Sequence, residues 1–164
     1  MRSRALNNGE RAAGGSGIAK PVILVVAAAL YDRAGRVLIA QRPAGKPLAG
    51  RWEFPGGKVA AGESEFEALA RELREELGIE MTTAKPYMRL THAYDDREVE
   101  LSLWVIERFT GTPRPLDRQQ LKWVAPGSLA QEDLLEADRP FIEALRDLPA
   151  PGYNGIHGST ERSS

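Results

Sequence analysis

Residues 56–79 constrain this chain more than any other stretch. Gly56 and Gly57 open a loop, Ser64 and Glu67 stand three residues apart as in a capping box, and Gly78 can supply a left-handed C′ residue, so the pattern predicts a helix over residues 65–77. Phe66, Ala70, Leu73 and Leu77 form the apolar stripe expected to face a core, and Glu72, Glu75 and Glu76 fall within one arc beside it. A fold gains little from that arc. Glu75 and Glu76 occupy the last turn, where the helix dipole disfavours anions, and two like charges roughly 6 Å apart repel by about 3 kcal/mol at an effective dielectric near 20. A hard divalent cation such as Mg²⁺, which takes carboxylate and phosphate oxygens together, is the simplest compensation. Acidic runs are ordinarily solvated faces, and Glu65 and Glu67 fit that reading because first-turn anions suit the dipole.

The loop before the helix has its own use. Two glycines let the backbone take positive φ and approach a ligand closely, so a carbonyl at Gly56 can reach a metal or phosphate. Arg71 lies four residues before Glu75 and can hold its carboxylate.

Elsewhere the pattern is that of one mixed domain. Residues 22–30 and 37–40 are apolar runs separated by Tyr31-Asp32-Arg33-Ala34-Gly35-Arg36 and read as a β-hairpin; the first is too short to span a bilayer and too integral to be a leader. Val99, Leu101, Leu103 and Val105 alternate with Glu100, Ser102 and Trp104 as in a half-buried strand, residues 121–124 read as a short strand, and residues 140–148 have helical spacing with Pro140 in the first turn. Strands around these two helices would require an α/β/α sandwich. Residues 21–148 are expected to form the domain, with residues 1–20 a disordered extension and residues 149–164 a flexible tail.

Composition removes several function classes. The 164 residues carry a formal net charge of −1, which gives no basic field for a nucleic acid polymer. Cysteine is absent, which excludes thiolate chemistry and fits a cytoplasmic setting, and the two histidines, His92 and His157, are too few for a histidine zinc site.

From Gly57 the chain reads GKVAAGESEFEALARELREELGI, in which Gly57, Glu63, Arg71, Glu72, Leu73, Glu75, Glu76, Gly78 and Ile79 fill the fixed positions of the Nudix box. Together with Trp52-Glu53-Phe54-Pro55-Gly56-Gly57-Lys58, the chain resembles the MutT branch of the Nudix hydrolases over residues 22–148. The resemblance implies a Nudix-like α/β/α sandwich with a mixed sheet and the catalytic loop and helix on one side. It also implies a Mg²⁺-dependent diphosphatase, with Mn²⁺ as a substitute, that acts on a small nucleotide of the 8-oxo-dGTP type in DNA replication and repair. A monomer or a homodimer would serve. Metal ligands would be Gly56 through its carbonyl, Glu72, Glu75, Glu76 and Asp117, the last from Asp117-x-Gln119-x-x-x-Trp123, where Glu is usual. Glu72 would be the base, Arg71 the orienting residue and Glu63 an auxiliary acid. Arg42 and Lys58 would contact phosphate, and Asp138 would read the base, unless it only caps the helix opened by Pro140. A pyrimidine triphosphate or another nucleoside-diphosphate-linked substrate is the alternative. A non-catalytic binding module would have no reason to keep the three repelling carboxylates.

Overall fold

A computed structural model describes residues 19–149 and 151; the expectations for the two end segments otherwise lie outside the described residues. Strands β1 (Val22–Ala29), β4 (Gly56–Lys58), β5 (Glu80–Ala93) and β6 (Glu98–Thr110) form a sheet in the order β4-β1-β6-β5. β1 runs parallel to β6, with Val25 opposite Leu101 and Ala29 opposite Val105, and the other pairs are antiparallel, so the sheet is mixed. Strands β2 (Val37–Gln41), β3 (Trp52–Glu53) and β7 (Leu121–Val124) make a smaller antiparallel sheet in the order β3-β2-β7.

Alternation along β1 divides the core into two layers. Val26, Ala28 and Leu30 face helix α1 (Glu65–Leu77), packing with Leu69, Leu73 and Leu77. Ala27, Ala29 and Tyr31 face the other way, toward the smaller sheet and helix α2 (Pro140–Asp147), with Phe141 and Leu145. This is an α/β/α arrangement with the loop and acidic helix on one side, as expected.

Helix α1 begins and ends where its sequence predicts. The Ser64 side chain accepts from Glu67 N, the Glu67 side chain accepts from Ser64 N, and Gly78 is left-handed at φ 68°. Its buried face differs from expectation: Ala68, Leu69, Leu73 and Leu77 are buried, whereas Phe66 lies at the margin, edge-on to Trp104 at 6.1 Å. Leu69 fills the place expected of Phe66 beside Val26, Ala28 and Leu30, while Phe66, in the first turn, rests on the partly buried Trp104 at the edge of that layer.

Two strand expectations also need correction. Residues 22–30 and 37–40 are not a simple hairpin: apart from the Tyr31–Val37 bridge and Leu38 N donating to the Leu30 carbonyl at 3.0 Å, the two strands enter different sheets. Asp32 makes that corner by accepting from Ala34 N and Arg36 N. β6 is not half-buried over residues 101–106, because α1 covers the face opposite α2 and Ser102 is buried with its hydroxyl accepting from Trp104 Nε1. β5 carries little apolar alternation; it is an edge strand with register shifts on either side of Thr83 and between Pro86 and Met88, where a proline is tolerated.

Candidate active site

The loop from Gly56 to Ser64 drops the acidic end of α1 onto the edge of β1. Gly56 and Gly57 pair with Ala27 and Val26. The approach requires glycine: a Cβ on Gly56 would stand 1.9 Å from the Val26 carbonyl, and one on Gly57 would stand 2.5 Å from the Glu72 carboxylate. Glu72 is therefore seated directly against the loop backbone. Glu76 accepts from Gly56 N at 3.4 Å.

Arg71 organises the other acids. It holds Glu63 with both Nε and Nη2 at 2.8 Å, Glu72 through Nη1 at 2.9 Å, the Lys58 carbonyl at 3.1 Å, and Glu75 at 3.4 Å. The strongest partner is thus Glu63 rather than Glu75, because the loop turns Glu63 back toward α1. These bonds push the Glu63 carboxyl down to about 2, with the Ala60 backbone N–H adding, and raise Arg71 above its ordinary value.

Glu76 is treated oppositely. Burial first, then the negative fields of Glu72, Glu53 and Asp117, push its pKa up to about 8 against the single backbone donor at Gly56. Asp117 reaches this neighbourhood through Gln119, whose Oε1 accepts from Asp117 N at 2.8 Å and whose Nε2 donates to the Glu76 carbonyl at 2.9 Å. The Asp117 side chain itself is bound to Lys46 Nζ at 2.9 Å. Lys46 is raised above its ordinary value by that hydrogen bond, with the fields of Asp117 and Glu76 adding.

The remaining expected residues line one cleft of about 310 Å³. Arg42, Lys46, Glu53, Gly56, Gly57, Lys58, Glu72 and Glu76 form its charged half; Val99, Leu101, Tyr94, Leu135 and Ala137 form an apolar half with Asp138 at its floor. Glu75 lies outside the lining, 59% exposed. Arg42 binds Glu53 at 3.0 Å and the Pro47 carbonyl at 2.7 Å, so it shapes the cleft before it touches any ligand. Asp138 does not cap α2: Arg139 holds the N-cap position without a side-chain cap, and Asp138 accepts from Phe54 N at 3.2 Å. Burial, then the charge of Glu53, pushes Asp138 up to about 7. Glu53, Lys46 and Tyr94 were not anticipated as site residues. Glu53 could have been, since it sits inside the Trp52–Lys58 motif; the other two come from loops with no local signature.

Among the described residues, no three acidic or histidine side chains are gathered at metal-ligand spacing; Arg71 holds Glu63 and Glu72, and Lys46 holds Asp117. The donor set nevertheless fits a hard cation: oxygen donors, a glycine cradle that a Cβ would fill, and a half-buried Glu76 surrounded by like charge. One consequence is measurable without substrate. The carboxyls of Glu76 and Asp138 release protons near 4 when unfolded and near 8 and 7 when folded, so folding retains protons between those values. The metal-free protein should lose stability as pH rises from 5 to 8, by about 2–4 kcal/mol or on the order of 5–10 °C in Tm. Calorimetry in EDTA checks this; a flat or rising Tm over that range would refute it.

A carboxylate-lined cleft fed by a Gly-Gly loop, beside an apolar slot, suits a phosphate-bearing ligand held through a hard cation. The chain belongs to the NUDIX family, whose domain matches residues 21–145. It is 42% identical over 128 residues to the CTP pyrophosphohydrolase of Escherichia coli, covering 78% of this chain and 95% of that protein. It is 44% identical over 126 residues to a putative 8-oxo-dGTP diphosphatase 2 of Mycobacterium tuberculosis, covering 74% and 86%. A structure reported for MutT of Aliivibrio salmonicida and Vibrio cholerae superposes with TM-score 0.67 at 33% identity, covering 76% of this chain and 97% of that one. The protein is a MutT-like Nudix nucleoside triphosphate pyrophosphohydrolase, of a family that generally uses a divalent metal. Among the described residues no helix is long and apolar enough to cross a membrane.

Proposed function

We propose that this enzyme hydrolyses oxidised purine triphosphates of the 8-oxo-dGTP type to the nucleoside monophosphate and pyrophosphate. The observation that carries the reading is the cleft itself, with Glu72 and Glu76 at a glycine floor and, beyond an apolar wall, the buried carboxyl of Asp138.

Gly56 through its carbonyl, with Glu72, Glu75, Glu76 and Asp117, would hold Mg²⁺, or Mn²⁺ in its place. Bound there, the metal supplies neutralisation of phosphate charge and a water of lowered pKa. Glu72, against the loop and oriented by Arg71, accepts a proton from the attacking water as its oxygen bonds to the β-phosphorus and the bond to the α-phosphate bridging oxygen breaks. Glu63 keeps Arg71 in place through two hydrogen bonds. Lys58 and Arg42 take the phosphate oxygens, Arg42 by leaving Glu53. Asp138 meets the base edge. Guanine suits it in either protonation state: an ionised carboxylate accepts from N1–H and the N2 amino group, and a protonated one donates to O6 while accepting from N1–H.

A second reading, hydrolysis of cytosine triphosphates, is favoured by the likeness to the Escherichia coli enzyme and by the near-neutral pKa of Asp138, since a protonated carboxyl matches cytosine N3 and N4. Incubation with a panel of nucleoside triphosphates and Mg²⁺, measuring pyrophosphate against phosphate, separates the readings. The expected result is pyrophosphate with an equal amount of monophosphate, and the highest kcat/KM for 8-oxo-dGTP. Preference for CTP or dCTP by more than about 10-fold would establish the second reading. Phosphate release, or no hydrolysis of any nucleotide, would overturn both.

A further inference from the structure

Lys46 is the cation of the cleft that the family pattern leaves without a task. It stands in the loop of residues 43–50, whose base is closed by Gly50 N donating to the Arg42 carbonyl at 2.9 Å and by Arg42 Nε donating to the Pro47 carbonyl at 2.7 Å. Lys46 lines the cleft with Glu72, Glu76, Gly56 and Gly57, and from there its ammonium crosses to the opposite loop and binds Asp117, just outside that lining, at 2.9 Å. Both side chains of the pair are half exposed, 50% and 51%, so the bridge contributes little to stability and can exchange partners readily. Asp117 itself is placed by its backbone, through Gln119, and would stay over Glu76 if Lys46 let go.

We propose that Lys46 is a resident counter-ion that holds Asp117 until metal and nucleotide arrive, and then transfers its ammonium from the carboxylate to the polyphosphate. The inference rests on the diphosphatase reading. In the nucleotide-free enzyme Lys46 competes with the divalent cation for the Asp117 carboxylate; in the complex it becomes a phosphate-binding residue from the loop facing Lys58. A lysine suits this exchange better than an arginine, since its compact ammonium on a flexible stem can swing between two anions without losing a bidentate geometry. Free enzyme would then bind bare metal weakly and the metal–nucleotide complex well, which keeps the cleft responsive to substrate rather than to metal alone.

The test is Mn²⁺ binding to the nucleotide-free protein, by electron paramagnetic resonance, alongside steady-state kinetics, for wild type, Lys46→Gln, Lys46→Arg and the double variant Lys46→Gln/Asp117→Asn. Removing the ammonium should tighten Mn²⁺ about three- to ten-fold without nucleotide, and raise KM for the triphosphate by about ten-fold with a smaller change in kcat. The gain in Mn²⁺ affinity should vanish in the double variant, and Lys46→Arg should recover most of the KM. Unchanged Mn²⁺ affinity and KM in an otherwise active Lys46→Gln enzyme would overturn the inference alone. Wild-type protein that neither binds Mn²⁺ nor hydrolyses nucleotides would overturn the diphosphatase reading and the inference with it.

Discussion

Glu76→Gln should lower kcat by at least about 10²-fold and at the same time raise the Tm of the metal-free protein. The two effects have one cause. The Glu76 carboxyl is half-buried, accepts one long hydrogen bond from Gly56 N, and sits in the fields of Glu72, Glu53 and Asp117, which with burial push its pKa up to about 8. At pH 7.5 the unfolded chain holds this group ionised while the fold disfavours that charge, so neutral Gln relieves about 1–2 kcal/mol after allowance for partial exposure, or roughly 3–6 °C. The amide oxygen can still accept from Gly56 N, so the loop should keep its place. What the amide cannot do is offer an anionic oxygen to a divalent cation. Saturating Mg²⁺ should raise the wild-type Tm and leave that of the variant nearly unchanged. Near-normal turnover in the variant, or wild-type turnover in EDTA, would remove Glu76 from the proposed metal ligands, and an unchanged Tm would mean that its repulsion is relieved in some other way.

The helix is legible in the sequence, and the cleft around it is not. The signals that define α1 lie within a few residues of one another: Ser64 and Glu67 close the capping box, Gly78 takes its left-handed φ of 68°, and the acidic arc follows from helical spacing. Sequence alone could also place Glu63 and Arg71 eight residues apart, yet the two hydrogen bonds between them depend on the turn of the loop. Lys46 and Asp117 are 71 positions apart, and Phe54 and Asp138 are 84 apart. No local pattern announces such pairs: the first arises from the way β2 and β7 bring their following and preceding loops together, the second from the Trp52–Leu134 bridge and Leu135 N donating to the Trp52 carbonyl. The same limit accounts for β1 and β6. Both read as ordinary strands, but their parallel pairing, which buries β6 on two faces, is decided by crossover topology rather than by alternation. Phe66 departs from the buried stripe that helical period permits: Leu69 fills the layer against β1, and the ring lies at its margin against Trp104.

Base selectivity should depend on pH through Asp138. Its carboxyl lies at the floor of the apolar half of the cleft, 5% exposed, with one oxygen committed to Phe54 N and a pKa raised to about 7 by burial and then by Glu53. Below that value it can donate and accept, so cytosine and guanine edges are both satisfied; above it the group only accepts, and guanine still presents two donors while cytosine N3 is left facing an anion. In the proposed reading, kcat/KM for 8-oxo-dGTP relative to CTP should therefore rise by roughly 10-fold as pH increases from 6 to 8.5, the size expected for one mismatched buried polar pair. Taking the ratio matters, since titration of the hydrolytic machinery acts equally on both substrates and cancels. Asp138→Asn cannot titrate, so its ratio should be flat with pH while its metal requirement persists. A wild-type ratio independent of pH, or an equal slope in the Asn variant, would place base recognition elsewhere in the slot, among Tyr94, Leu135 and Ala137, and would leave Asp138 as a tether for the Phe54 backbone.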